Sequence, residues 1–174
     1  MRKEFAKVLR DQFTKKVAEQ LADFEPYKEK TIYLFPGERA FYRVVNDALW
    51  LFIVCSPDSR GHEAFTIELG WSTQQRFPEN GMRLNCTPSD SGEEFSLPEA
   101  MLRLNSLGAA PEWWTVEEIA DPFDTSAAGL EKMARKVSAA EARELVLPIL
   151  DEAFAALLSL GMPYLEQRIA WSGR

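Results

Sequence analysis

The sequence predicts an α+β fold, in which an N-terminal helix packs on an antiparallel meander sheet of four or five strands and C-terminal helices complete the cover. Three observations lead to this prediction. Residues 5–21 repeat apolar side chains at the helical period, residues 31–69 form short apolar or alternating stretches between turn residues, and helix-start patterns return after residue 87. With 174 residues, 46% of them hydrophobic, the chain is expected to form one domain over residues 1–174.

The N-terminal helix is predicted from an apolar stripe. Every fourth residue from Phe5 to Leu21 is apolar, whereas the opposite face is rich in lysine. A helix with one such stripe buries it against a core. We expect the helix to end before Pro26, because the residue preceding a proline avoids the helical conformation.

Three predicted strands follow, over residues 31–35, 40–45 and 48–55, with Pro-Gly and Asn-Asp turns between them. Residues 48–55 are apolar on both alternating faces. Strands with this pattern are covered on both sides of the sheet. This strand is therefore expected at the centre of the sheet.

Residues 64–69 alternate between apolar and polar side chains, which predicts a fourth strand. Its apolar positions are expected to face the core, and Thr66 and Glu68 are expected outside. A fifth strand is predicted over residues 82–86, because it follows an Asn-Gly turn signal.

Helix starts are predicted at Ser96, Thr115 and Ser138, since each begins an S/T-x-x-E pattern typical of a capping box. The helix after Ser138 keeps its apolar period until a Gly-x-Pro sequence ending at Pro163, which predicts its end. Pro148 lies inside this pattern and is expected to kink or split the helix.

The charge and the targeting signals restrict the class of protein. Its 20 basic and 27 acidic side chains give a net charge of −7, which argues against nucleic acid and an anionic membrane as partners. No apolar leader follows the N-terminal basic residues, and the longest apolar run, residues 48–55, is too short to span a bilayer. We therefore expect a cytoplasmic protein whose two cysteines, Cys55 and Cys86, are reduced.

The sequence contains none of the motifs typical of nucleotide, phosphate or zinc sites, and it has a single histidine. A Cys86–His62 pair would be the minimal nucleophilic arrangement, but no surrounding pattern supports it. We therefore predict no cofactor, no metal and no catalytic residue, which favours a non-enzymatic protein.

Residues 90–124 carry nine acidic side chains and one basic one. Such a segment would attract a basic protein by electrostatic steering. The adjacent tryptophans within it predict either one exposed contact residue or two side chains that seal a helix over the sheet. The leading hypothesis is thus a protein-binding module for a basic partner, and its oligomeric state is left open. Its candidate binding residues are Glu93, Glu94, Glu112, Trp113, Trp114, Glu117 and Glu118.

A second hypothesis is a small-molecule-binding protein or a hydrolase. Aromatic side chains are abundant in and beside the predicted strands. A pocket between the sheet and the C-terminal helices would be lined by Tyr42, Trp50, Trp71 and His62.

The order of several short motifs resembles a bacterial domain-of-unknown-function family of small α+β proteins. The resemblance rests on the N-terminal amphipathic helix, the strand Phe41-Tyr42-Arg43, the F-T-I-E-L-G strand at residues 65–70 and the later Trp113-Trp114 pair, and it covers about residues 1–120. It implies an α+β fold and brings no catalytic residues. It also implies an immunity-like role, in which a protein of this kind neutralises a toxin.

Overall fold

A computed structural model describes residues 1–60, 62–79, 84–117 and 125–172. In these residues an N-terminal helix, an antiparallel sheet of six strands and C-terminal helices confirm the predicted α+β fold. The elements are α1 Lys3–Gln20, β1 Glu25–Pro26, β2 Arg39–Asn46, β3 Leu49–Pro57, β4 Glu63–Ser72, β5 Glu99–Arg103, β6 Trp114–Glu117, α2 Ala127–Ala134, α3 Ala139–Ala156 and α4 Met162–Ser172.

The sheet is a meander in the order β1-β2-β3-β4-β5, and β3 lies in the middle of it as predicted. β4 is longer than the strands beyond it and pairs with β5 near its carboxyl end and with β6 near its amino end. Gly70 of β4 permits close pairing with β5, because a Cβ at this position would lie 2.5 Å from the carbonyl oxygen of Ala100. β4 is paired with β3 on one side and with β5 and β6 on the other, and every residue of it is buried.

One face of the sheet, here called the helix-covered face, packs on α1 and the C-terminal helices. The apolar stripe of α1 is fully buried, as its spacing predicts. The ring of Phe13 lies 5.7 Å from that of Phe41 in β2 and 5.9 Å from that of Phe154 in α3. This contact joins helix, sheet and helix into one core.

The other face, here called the loop-covered face, carries a smaller core that includes no helical side chain among the described residues. Phe52 and Val54 of β3 pack there against Phe77 and the loop that precedes β2. Thr66 and Glu68 also point to this face and are buried, so the expectation that they lie outside is wrong. The alternation of apolar and polar residues in β4 correctly places both side chains on the face opposite the main core. It does not show that loops cover that face.

The first predicted strand is wrong. Residues 31–35 form turns, and the outer edge of β2 is instead paired by β1 and by the N–H of Tyr27, which donates to the carbonyl of Ala40. With the edge occupied, residues 31–35 have no strand to pair with. They lie beside the loop-covered face, where Ile32 is exposed.

Two of the three predicted helix starts are also wrong. Ser96 ends a 3₁₀ turn just before β5, and Thr115 lies inside β6. Both segments pair with the edge of β4, so tertiary pairing overrides the local capping pattern. The third is confirmed, because the hydroxyl of Ser138 accepts a hydrogen bond from the N–H of Glu141 at 3.1 Å.

The fifth predicted strand, over residues 82–86, falls partly on residues 80–83, which lie outside the described residues. Residues 84–86 are not in a strand. Asn85 nevertheless binds the outer edge of β5, since its Oδ1 accepts from the N–H of Met101 at 2.9 Å. The strand that follows β4 in the sheet is β5, which the sequence did not predict.

The C-terminal helix does not end before Pro163 as predicted. α3 continues across Pro148, and a π turn over Leu157–Gly161 leads directly into α4. A wider turn accommodates a proline, which has no N–H for the helical ladder. Gly161 allows the turn to approach the sheet, because a Cβ there would lie 3.0 Å from the side chain of Leu69.

The helical stretch Ala139–Trp171 is long and apolar enough to cross a membrane by length and composition, with a mean hydropathy of 1.8 in its most apolar window. Core helices of soluble proteins meet the same criterion. Its inward side chains, including Val146, Leu150 and Leu157, belong to the main core, whereas charged side chains such as Glu152 are exposed.

Candidate functional site

The aromatic pocket predicted between the sheet and the C-terminal helices is not formed. Trp71 is buried in the core on the helix-covered face, whereas Tyr42 and Trp50 pack on the loop-covered face. Trp50 pairs across the strands with Ser72, the neighbour of Trp71, and adjacent strand residues point to opposite faces. His62 is exposed in the β3–β4 connection. The four residues therefore do not share a site.

Tyr42 and Trp50 instead form part of a packed aromatic cluster. Their ring centroids lie 5.1 Å apart, and Phe52 and Phe77 extend the cluster with a spacing of 5.3 Å between their rings. Tyr27 completes it, and its hydroxyl oxygen accepts from the N–H of Phe77 at 3.3 Å. These rings fill the space between sheet and loops rather than line a pocket.

A cleft of about 550 Å³ opens beside this cluster, on the loop-covered face. Its walls are the turn before β2, the β3–β4 connection, the end of β5 and the segment before β6. Volumes of this size hold small organic molecules. The charged and aromatic residues in its lining include Phe35, Glu38, Asp58, Glu68, Arg103 and Trp113.

Glu38 reaches the cleft from a Pro-Gly turn. Gly37 adopts a φ of +99°, a backbone conformation that favours glycine, and the turn closes through a hydrogen bond from the N–H of Glu38 to the carbonyl of Phe35. The Glu38 carboxylate accepts from the N–H of Phe35 at 2.7 Å and from the hydroxyl of Ser56 at 2.6 Å. It therefore ties the turn to β3.

Asp58 begins the β3–β4 connection. Its Oδ1 accepts from the N–H groups of Arg60 at 2.6 Å and of His62 at 3.3 Å, while its own N–H donates to the carbonyl of Ala64 at 2.8 Å. Aspartate is favoured in such turns because its short side chain can bind backbone N–H groups nearby. The turn holds the Asp58 side chain at the cleft with 7% of the residue exposed.

Glu68 and Arg103 are cross-strand partners in β4 and β5. Glu68 is 4% exposed. The guanidinium of Arg103 lies 5.0 Å from the ring centroid of Trp113 and pairs with Glu112, and its Nε is buried without a hydrogen-bond partner in the part of the chain that the structure describes. Arg103 thus joins the wall formed by Trp113 to the sheet.

Cys55 lies behind the cleft, on the helix-covered face of β3. Burial raises the pKa of its thiol well above the ordinary range, and the nearby carboxylates of Glu38 and Glu68 raise it further. The thiolate is therefore disfavoured, and Cys55 is not suited to act as a nucleophile.

Glu94 is buried rather than exposed, so the expectation that it contributes to an acidic surface is wrong. A 3₁₀ turn over Glu93–Ser96 directs it inward, where it accepts from the hydroxyl of Ser89 at 2.6 Å and from that of Tyr164 at 2.9 Å. Burial alone would raise the pKa of this carboxyl. The hydrogen bonds from Ser89 and Tyr164 and from backbone N–H groups outweigh burial and hold its pKa below the ordinary value.

The other acidic candidates are partly balanced by arginines, two of them from outside the acidic segment. Glu117 pairs with Arg2 and with Arg135, the latter at 2.9 Å, and the exposed Glu112 pairs with Arg103. Glu112 pairs with the one base of the segment itself, whereas the two partners of Glu117 lie outside the segment and are not apparent from the local sequence. Glu93 is exposed as expected, and Glu118 lies outside the described residues.

The tryptophan pair is divided between the two faces of the sheet. Trp114, in β6, is buried and stacks on Phe65 with ring centroids 5.9 Å apart. Trp113 precedes the strand, is half-buried and lines the cleft. The prediction that both seal a helix is wrong, because a strand carries Trp114 and neighbouring residues in extended chain alternate in direction.

No protein-family model, curated protein or solved structure matches this chain. Within the described ranges, no group of three or more histidine, cysteine or acidic side chains is placed to hold a metal ion. Any inference about the cleft therefore depends on the side chains that line it.

Glu38 and Asp58 are not among the site residues that the sequence predicts, and Glu68 is expected at the surface. A usable signal was present, since Glu68 interrupts a strand of otherwise apolar or neutral residues and Glu38 follows a Pro-Gly turn. The sequence does not show that these residues lie at one cleft, because their proximity depends on the pairing of β2, β3, β4 and β5.

Proposed function

We propose that the protein binds a small organic molecule in the cleft on the loop-covered face. The observation that carries this proposal is that three carboxylates, each between 4% and 8% exposed, line the same concavity together with two aromatic side chains. Buried charged groups are costly to a fold, and their convergence at a cleft is typical of binding sites. The carboxylates belong to Glu38, Asp58 and Glu68, and the aromatic side chains to Phe35 and Trp113.

Binding is favoured over hydrolysis by the surroundings of Ser56, the serine of the cleft that is hydrogen-bonded to a carboxylate. A nucleophilic serine is usually activated by a base whose pKa lies near the working pH, most often histidine. The hydroxyl of Ser56 donates to Glu38, and no hydrogen bond joins Ser56 to His62 among the described residues. These contacts hold the Ser56 hydroxyl in place but do not activate it as a nucleophile.

The test is a screen of small molecules for those that raise the melting temperature, followed by a variant that fills the cleft. Ser59 is exposed and lines the cleft, so Ser59→Trp is expected to abolish the stabilisation by any compound bound there. Ser159→Trp, at an exposed helical position on the other side of the sheet, should leave the stabilisation intact. Stabilisation that survives Ser59→Trp, or a broad library without any stabilising compound, would overturn the proposal.

The hypothesis of a basic protein partner stays a prediction. Asp90 and Glu93 are exposed near one another in sequence, which supports it, whereas pairing of Glu112 and Glu117 with arginines reduces the charge available for steering. A combined Asp90→Lys and Glu93→Lys variant would slow association with a basic partner recovered from the native cell. Unchanged association kinetics would contradict this hypothesis.

A further inference from the structure

Asp58 presents an unused hydrogen-bond acceptor to the cleft. Its Oδ1 is occupied by the two backbone N–H groups of the turn, but its Oδ2 has no hydrogen-bond partner among the described residues. Asp58 is 93% buried, yet its Oδ2 is not fully buried: in the described ranges, the fully buried side-chain atoms without a hydrogen-bond partner belong to Arg103 and Arg168. The oxygen therefore retains contact with solvent, and Asp58 is one of the residues that line the cleft.

The other two carboxylates of the cleft differ from Asp58. Both oxygens of Glu38 accept hydrogen bonds within the protein, and Glu68 also interacts with another group of the protein. A ligand that enters the cleft would therefore find its acceptor at Asp58. A carboxylate oxygen binds a cationic donor more strongly than a neutral one, because the hydrogen bond is charge-assisted.

The aromatic lining suits the organic part of such a ligand. Phe35 is 57% exposed and Trp113 is half-buried, and both contribute to the lining of the cleft. Faces of aromatic rings attract organic cations as well as planar apolar groups. A carboxylate beside aromatic walls is the combination that recognises ammonium and guanidinium compounds.

We propose that the cleft binds an organic cation, whose ammonium or guanidinium group donates a hydrogen bond to Oδ2 of Asp58. This inference rests on the proposed function and names the chemical class of its ligand. It also assigns a role to Arg60, which is exposed and lines the same cleft. The charge of Arg60 opposes a cation and would favour an anion, so its removal distinguishes the two classes.

The experiment measures binding of two aromatic probes of similar size, benzylammonium and benzoate, by isothermal titration calorimetry. The protein is expected to bind benzylammonium and not benzoate. Asp58→Asn keeps the Oδ1 acceptor that closes the turn and replaces only the free oxygen with an amide group, so the fold is preserved. This variant should weaken benzylammonium binding by about tenfold or more.

Two further variants complete the design. Arg60→Ala should strengthen benzylammonium binding, whereas Glu93→Gln, an exposed acid outside the cleft, should leave it unchanged. Binding of benzoate in place of benzylammonium, weakened by Arg60→Ala and by Ser59→Trp, would overturn the cation assignment and leave the proposed function standing. Absence of benzylammonium binding, or binding unaffected by Asp58→Asn, would also overturn the assignment, while the library screen tests the proposed function separately.

Discussion

Glu94 illustrates, at the scale of a residue, how an acidic side chain in an acidic segment acquires a structural role. Three donors, the hydroxyl and N–H of Ser89 and the hydroxyl of Tyr164, converge on its carboxylate. Tyr164 belongs to α4, so the contact fastens the loop before β5 to the last helix. Because hydrogen bonds to the charged form outweigh burial, the carboxylate contributes to the stability of the fold while it is ionised.

Acidification should remove this contribution. The folded pKa of Glu94 is lowered from 4.5, so its stabilisation is present above that value and is lost as the pH falls through the folded pKa. Glu94→Gln should lower the free energy of unfolding by about 1–3 kcal/mol at pH 7. The difference in free energy of unfolding between the variant and the unsubstituted protein should shrink below pH 4.5. Urea melts across this pH range measure the effect, with the exposed Glu93→Gln as control. A difference that stays constant with pH would contradict the assignment.

At the scale of secondary-structure elements, the predictable parts are those whose own residues form the core. The period of α1 and the two-sided apolarity of β3 reflect burial directly, and both elements form as predicted. β5 and β6 carry capping patterns instead, and they become strands because the long β4 offers an unpaired edge. Local sequence cannot report a partner that lies distant in the chain.

The candidate site is not predicted for the same reason, because its residues meet only through parts of the chain that are distant in sequence. Glu68 lies in a strand that was predicted, yet its burial depends on loops on the other face of the sheet. The sequence does not point to Asp58, since its place at a cleft depends on Trp113, which lies far along the chain. The sequence does point to Trp113, as a candidate contact for a protein partner rather than as part of a cleft.

β3 carries the clearest expectation at this scale. Phe52 is fully buried on the loop-covered face, with the rings of Tyr27 and Phe77 5.7 Å and 5.3 Å from its own. Phe52→Ala should reduce the free energy of unfolding by about 3–5 kcal/mol, because it leaves a cavity that the neighbouring rings cannot fill. Urea denaturation measures the loss. Val44→Ala, at a half-exposed position of β2, serves as control, and a loss from Phe52→Ala below about 1 kcal/mol would contradict the central role of β3.

At the scale of the whole molecule, arginines from distant segments connect the acidic residues to one another. Arg2 precedes α1 and binds Glu63 of β4 through its Nε at 2.7 Å, and it also pairs with Glu117 of β6. Arg135 continues the chain of contacts from Glu117 to the first turn of α3. Glu117, one acid of residues 90–124, thus helps to hold the N-terminus and the segment before α3 to the sheet.

Arg2 should therefore matter more than an ordinary surface charge. Glu63 is 2% exposed, so Arg2→Ala would leave its carboxylate buried with only a backbone N–H as donor. We expect a loss of about 3 kcal/mol in the free energy of unfolding, partly recovered when Glu63→Gln is added. Lys15→Ala removes an exposed pair with Glu19 and should cost less than about 1 kcal/mol. Equal losses from Arg2→Ala and Lys15→Ala in thermal or urea melts would refute this ranking.

The division of β4 between two short partners has a consequence for the behaviour of the protein at high concentration. A long apolar strand with an open edge invites pairing with other molecules, and proteins commonly blunt such edges with short strands. β5 and β6 have five and four residues, so each presents only a brief row of free backbone groups at this side of the sheet. If β6 detached, the edge of β4 around Phe65 would become available to a neighbouring molecule. Retention of β6 thus protects the protein from self-association as well as completing its core.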